Sequence, residues 1–129
     1  MKLRIFVIDD EKSIRETFKW HLEDQGHEVI VAEEPLICDI YHGCDCQEGY
    51  PCGDILFVDH QMPRMTGLEF IKMMHKRGCN GNPANKYIMS GNTTVLDMEQ
   101  INEIGCSVLQ KPVSLEKLDK IVSQVKSSI

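Results

Sequence analysis

The chain has 129 residues, 42% of them hydrophobic, which suits one globular domain around one core. A net charge of −6 with no dense Lys/Arg stripe argues against binding to a nucleic-acid phosphate backbone, and no direct nucleic-acid contact is expected. No apolar run approaches the roughly 20 residues of a membrane span, and acidic residues follow Ile8 at once, against a secretory leader. A cytoplasmic setting without membrane contact is the expectation, in which six cysteines read as reduced thiols or metal ligands rather than a disulfide framework.

In chain order, residues 3–8 read as a buried strand and 13–25 as a helix with Ile14, Phe18 and Leu22 on one face. Gly26 ends that helix, and 28–32 forms a short second strand. A brief helix over 36–42 leads into an irregular, cysteine-bearing stretch to Gly53. Residues 55–58 are the third strand, and a loop over 62–67 leads to a third helix marked by Leu68, Ile71, Met74 and His75. The Gly- and Asn-bearing segment 78–85 is a loop. Strand 87–89, helix 94–104 and strand 107–110 follow. Ser114 caps the last helix, whose buried stripe is Leu118, Ile121, Val122 and Val125. Five strands alternating with five helices read as an α/β domain with a parallel sheet.

Four of the apolar runs end in residues suited to phosphate chemistry: Asp9-Asp10, Asp59, Ser90 and Lys111. Ligands of open parallel sheets bind outside the carboxyl ends of the strands, so the fold gathers these groups in one crevice. Three carboxylates there suit magnesium, which takes one or two of them and accepts phosphate oxygens as further ligands. Asp59 is then a feasible nucleophile toward a phosphoryl donor. Lys111 supplies a compact positive charge for the same oxygens. Ser90 offers a hydroxyl contact that exists only once a phosphoryl group is present, which is what a two-state switch requires.

These residues carry a family resemblance. Val7-Ile8-Asp9-Asp10-Glu11, the run from Val58 to Gly67, Met89-Ser90-Gly91 and Gln110-Lys111-Pro112 resemble a response-regulator receiver domain, and the likeness extends over residues 1–129 as a single domain. The resemblance implies a doubly wound five-stranded sheet of flavodoxin-like order 2-1-3-4-5. It implies that Asp59 accepts a phosphoryl group from a sensor histidine kinase or phosphotransfer protein. Asp10 and Asp59 would bind magnesium directly, Asp9 through water, and the Gln61 backbone carbonyl would complete the set. Ser90 and Lys111 would be the switch hydroxyl and the phosphate-pairing lysine, next to a cis Lys111-Pro112 bond. Output to a partner protein would use the face made by the fourth helix, fifth strand and fifth helix. Such a domain catalyses only its own phosphorylation and dephosphorylation.

Two departures from the pattern stand out. Val108 occupies the position, three before the lysine, where the family usually carries an aromatic residue. The insertion around 38–53 is longer than usual and holds Cys38, Cys44, Cys46 and Cys52. Those thiols alone, or with His42 replacing one of them, could surround zinc tetrahedrally; ordinary reduced thiols and an oxidised pair are the competing readings. Met73, Met74 and Met89 read as core filler, and Cys79 and Cys106 as small apolar residues. The backbone amide of His60, rather than its imidazole, is expected to face the phosphoryl group.

Two rival functions bracket this reading. A metal- or thiol-sensing module on a receiver scaffold would make Asp59 dispensable. An aspartyl-phosphate phosphotransferase would typically place an acid two residues after the nucleophile, where this chain has Gln61, which cannot donate and recover a proton.

Overall fold

A computed structural model of the protein describes residues 2–33, 53–62, 64–76 and 82–128. Its strands are β1 (Arg4–Ile8), β2 (Glu28–Ala32), β3 (Ile55–Asp59), β4 (Lys86–Ser90) and β5 (Ser107–Gln110). Its helices are α1 (Lys12–Asp24), α2 (Gly67–Lys76), α3 (Met98–Ile104) and α4 (Leu115–Ser127). All strand pairs are parallel, in the order β2-β1-β3-β4-β5. The expected strand order is therefore the observed one. Of the five expected helices, four lie among the described residues; the helix over 36–42, with Cys38, His42, Cys44, Cys46 and Cys52, falls outside them.

Alternation along the strands divides the interior into two cores. Ile5, Val7, Ile55, Phe57, Tyr87 and Met89 face Phe18 and Leu22 of α1 and the Leu118, Ile121, Val122 and Val125 stripe of α4. Phe6, Ile8, Leu56, Val58 and Ile88 face Leu68, Phe70, Ile71 and Met74 of α2 and Ile101 of α3. Such two-sided burial explains why the central strands read as continuous apolar runs rather than alternating ones. Met74, Met89 and Cys106 are buried apolar filler, and Met73 packs at the edge of the second core. Cys79 lies outside the described residues.

Local signals explain where most helices end. Gly26, at φ 92°, and Gly105, at φ 90°, take left-handed backbone just beyond α1 and at the end of α3. Ser114 Oγ accepts the Lys117 amide hydrogen bond at 3.1 Å, the expected cap of α4. Segment 94–104 is not one helix. It is a short 3₁₀ turn, Thr93–Val95, followed by α3. Two capping side chains lie five residues apart: Asn92 Oδ1 accepts from the Thr94 amide and Asp97 Oδ1 from the Gln100 amide. Each starts its own turn, so a single continuous helix cannot form through Leu96 and Asp97.

Phe57 sits where α1, β3 and β4 meet. Its ring lies edge-on to Phe18, with centroids 5.6 Å apart, and stacked with Tyr87 at 5.5 Å. Replacing it with alanine should lower stability by about 3–5 kcal/mol, through lost transfer energy and an incompletely collapsed cavity. Denaturant unfolding of Phe57→Ala beside Phe57→Leu measures this. A loss below about 1 kcal/mol for the alanine variant would mean that the ring cluster does not carry this core.

Candidate acidic phosphoryl site

The strand registers assemble the site. The chain passes from β1 out to β2 and returns to β3 on the other side of β1, so the carboxyl ends of β1 and β3 flank a crevice. Ile8 pairs with Val58, which sets Asp9 alongside Asp59 at the next step. Asp59 pairs with Met89 and Ser90 with Gln110, which brings Ser90 and Lys111 to the same edge. Odd-numbered positions share one face of these strands, so Asp9 and Asp59 project to the same side.

Asp9 is fully buried, Asp59 is 5% exposed, and Asp10 lies in solvent at the rim. A carboxylate oxygen from each can be chosen so that all three lie within 4.8 Å of one another. Lys111 Nζ stands 3.0 Å from Asp9 Oδ2, 3.1 Å from Asp59 Oδ1 and 3.6 Å from Glu11 Oε1. That ammonium is the contact found for Asp9 Oδ2, which otherwise has no hydrogen-bond partner. Asp9 Oδ1 accepts the Glu11 amide at 2.8 Å, and the Arg15 guanidinium donates to the Asp9 carbonyl at 2.7 Å. A buried carboxylate oxygen with spare acceptor capacity, beside two further acids, is a donor set that fits a hard divalent cation. Asp9, Asp10 and Asp59, with the Gln61 backbone carbonyl, are the groups available to hold it. Among the described residues this is the single cluster of metal-ligating side chains, and the five residues considered for zinc lie outside them.

The electrostatics carry the mark of crowded acids. Burial raises the Asp59 carboxyl to about 6, with the Asp9 charge adding to the rise and Lys111 opposing it. Burial raises Asp9 too, against the Glu11 amide and Lys111. For Lys111, burial favours the neutral amine, but the hydrogen bonds and charges of Asp9 and Asp59 outweigh it and hold the ammonium above its ordinary range.

Several features about the site could not be seen from sequence. The His60 amide does not face the crevice: it donates to the Met89 carbonyl at 2.9 Å, continuing the β3–β4 ladder one step past Asp59. Gly67, the first residue of α2, abuts β3 so closely that a Cβ there would stand 2.7 Å from the Asp59 carbonyl oxygen. A reciprocal pair of hydrogen bonds between Thr66 and Glu69, each 3.1 Å, fixes that helix start. A Thr-x-x-Glu pattern ahead of an apolar run was the available signal for it. Glu11 beside Lys111 and the Gln110 contacts described below depend on register and left no sequence signal.

Comparison with known proteins places this geometry. Residues 5–123 match the response regulator receiver domain family. The phosphate regulon transcriptional regulatory protein PhoB of Klebsiella pneumoniae is 33% identical over 76 residues, which are 59% of this chain and 31% of that protein. The transcriptional regulatory protein BtsR of Escherichia coli K12 is 27% identical over 96% of this chain and 48% of its own length. The chain thus spans less than half the length of these curated relatives. Among solved structures, the chemotaxis protein CheY4 of Vibrio cholerae superposes with a TM-score of 0.74 at 26% identity, over 97% of this chain and 99% of that one. The response regulator TrrA of Thermotoga maritima, solved in complex with Mg2+-BeF, shares the fold at a TM-score of 0.72 and 23% identity, over 97% and 99% of the two chains. The chain belongs to the response regulator receiver domain family. It is a receiver of two-component signalling, a family whose members bind magnesium at an acidic pocket and interact with histidine kinases and output domains. No helix among the described residues is long and apolar enough to cross a membrane.

The raised Asp59 carboxyl gives a pH-dependent expectation. A folded-state value of about 6 against 3.8 means that folding favours the protonated acid, so this contribution is complete below 3.8 and is lost as pH rises through about 6. Asp59→Asn, which mimics the protonated form, should therefore unfold like the wild type at acid pH. It should be the more stable of the two, by roughly 1–3 kcal/mol, above neutrality in chelator-treated buffer. Denaturation curves across that window read the gap. A gap that is constant with pH, or opposite in sign above neutrality, would contradict the assigned electrostatics.

Proposed function

We propose that Asp59 is the phosphoacceptor of this receiver, taking a phosphoryl group from the phosphohistidine of a sensor kinase or phosphotransfer protein. The observation that carries the reading is the Lys111 ammonium 3.1 Å from Asp59 Oδ1, on an acceptor flanked by Asp9 and Asp10. An Asp59 oxygen attacks phosphorus, an acyl-phosphate P–O bond forms, the P–N bond to the imidazole breaks, and the leaving nitrogen regains a proton. Lys111, already ion-paired with Asp59, swings its charge onto a transferred phosphoryl oxygen. Asp9, Asp10, Asp59 and the Gln61 carbonyl would hold a magnesium ion, whose charge would offset that on the phosphoryl oxygens. Ser90, 2% exposed at the end of β4, turns its hydroxyl to the same group.

The new Ser90 contact pulls on the turn ahead of α3, and the output partner reads the face of α3, β5 and α4. Val95, Met98 and Leu115 are exposed apolar side chains on these elements and the turn leading into them, which supports that choice. Val108 packs, partly buried, at the edge of the second core, and takes no aromatic swing in the change. Amide shifts on phosphorylation should accordingly concentrate in residues 90–104 rather than at Val108. The setting of this chemistry is cytoplasmic, where the phosphodonor kinases of two-component systems act.

Incubation with magnesium and a small phosphodonor should add one phosphoryl group to the intact mass, and Asp59→Asn should abolish the gain. Labelling of Asp59→Asn at a serine or histidine to the wild-type extent would overturn the assignment.

A further inference from the structure

Ser90 is held in a closed local turn. Its Oγ donates to the Asn92 carbonyl at 3.0 Å and accepts from the Asn92 amide at 3.1 Å. The donated bond must break before that hydroxyl can turn its proton to a phosphoryl oxygen on Asp59, since a hydroxyl has a single proton to give. The residue between them, Gly91, is pinned from outside the turn. Gln110, at the end of β5, donates from Nε2 to the Gly91 carbonyl at 2.9 Å and to the Lys111 carbonyl at 3.2 Å. One exposed amide therefore ties the Ser90 turn to the backbone of the phosphate-pairing lysine.

We propose that Gln110 is a positioning residue that clamps the Ser90–Asn92 turn in its resting arrangement and so sets how readily the Ser90 hydroxyl reaches a phosphoryl group on Asp59. The inference rests on the assignment of Asp59 as acceptor and adds a threshold to it. The clamp bears on the route by which the signal leaves. Asn92 Oδ1 caps the Thr93–Val95 turn, and that turn leads through buried Leu96 into α3. With valine at position 108, no aromatic ring moves beside the turn, which leaves the Gln110 amide as the side-chain tie between β5 and Gly91 among the described contacts. Among the described residues, the Gln110 side chain meets the Gly91 and Lys111 carbonyls rather than the acids or Lys111 Nζ, so its removal should leave the cation site as it is.

The test is a double-mutant cycle read by the affinity for beryllium fluoride in the presence of magnesium, followed by fluorine NMR. Gln110→Met keeps the length of the side chain and removes the donor; Gln110→Ala serves as a second deletion. Each should bind the mimic about fivefold more tightly than wild type, the equilibrium ratio that one ordinary neutral hydrogen bond is worth. Magnesium affinity without the mimic should be unchanged. In a Ser90→Ala background the gain should vanish, because no hydroxyl then has to leave the turn. Unchanged affinity in both Gln110 variants overturns the clamp while leaving Asp59 as acceptor. An equal gain with and without the Ser90 hydroxyl overturns it as well, since Gln110 would then act elsewhere. A wild-type protein that binds no mimic in the presence of magnesium overturns the acceptor assignment and the clamp together.

Discussion

One ammonium group allows the rest of the arrangement to exist. Asp9 and Asp59 are both removed from water, and taking a carboxylate into a protein interior costs several kcal/mol unless it is matched. Lys111 stands about equally far from both, at 3.0 and 3.1 Å, and is itself held charged by them. The match is incomplete by design of numbers: two buried acids and the rim acid Asp10 face one cation, leaving net negative charge in the crevice. Burial, with the Asp9 charge adding to it, raises the Asp59 carboxyl to about 6 against the pull of Lys111. A site in that condition is ready to take up positive charge from solution.

The parts of this site that sequence could reveal are those fixed by strand ends. Each functional residue follows an apolar run, and the runs are continuous because β1, β3 and β4 are buried on both faces. The run therefore marks the strand and its end marks the edge of the sheet, whatever the register. Register-dependent features were hidden for the same reason. The His60 amide looked available because nothing in the sequence says that the β3–β4 ladder extends one step past Asp59 to Met89. Gln110 belongs to the recognisable Gln110-Lys111-Pro112 run, but only its pairing with Ser90 places its side chain over Gly91. The split of segment 94–104 was written in Asn92 and Asp97, but a capping residue inside a helical pattern reads equally well as a surface polar residue.

The two cores also divide the labour of the fold. The core between the sheet and α1 and α4 contains the ring cluster of Phe18, Phe57 and Tyr87, beneath the acids. The opposite core contains Leu96, Ile101 and Cys106 with Ile8 and Val58, the residues just before Asp9 and Asp59. The helix that follows Ser90 thus leans on the strand ends that carry the acids. Leu96, just beyond the Thr93–Val95 turn, and Ile101 of α3 share this core with the residues before both acids.

Burial of β3 on both faces has a mechanical consequence. Every residue of Ile55–Asp59 is buried, and Gly67 closes on the carbonyl of the last one. A strand gripped in this way has no slack, so inserting or deleting a residue in it would throw one core onto the other's side. Length can change only in the connections between elements. One rim carries the acids, while among the described residues the opposite rim, where β1 begins beside His27 and Asp54, carries none of the groups of that site. That far rim is where a fused segment could be grafted onto this domain without disturbing its electrostatics.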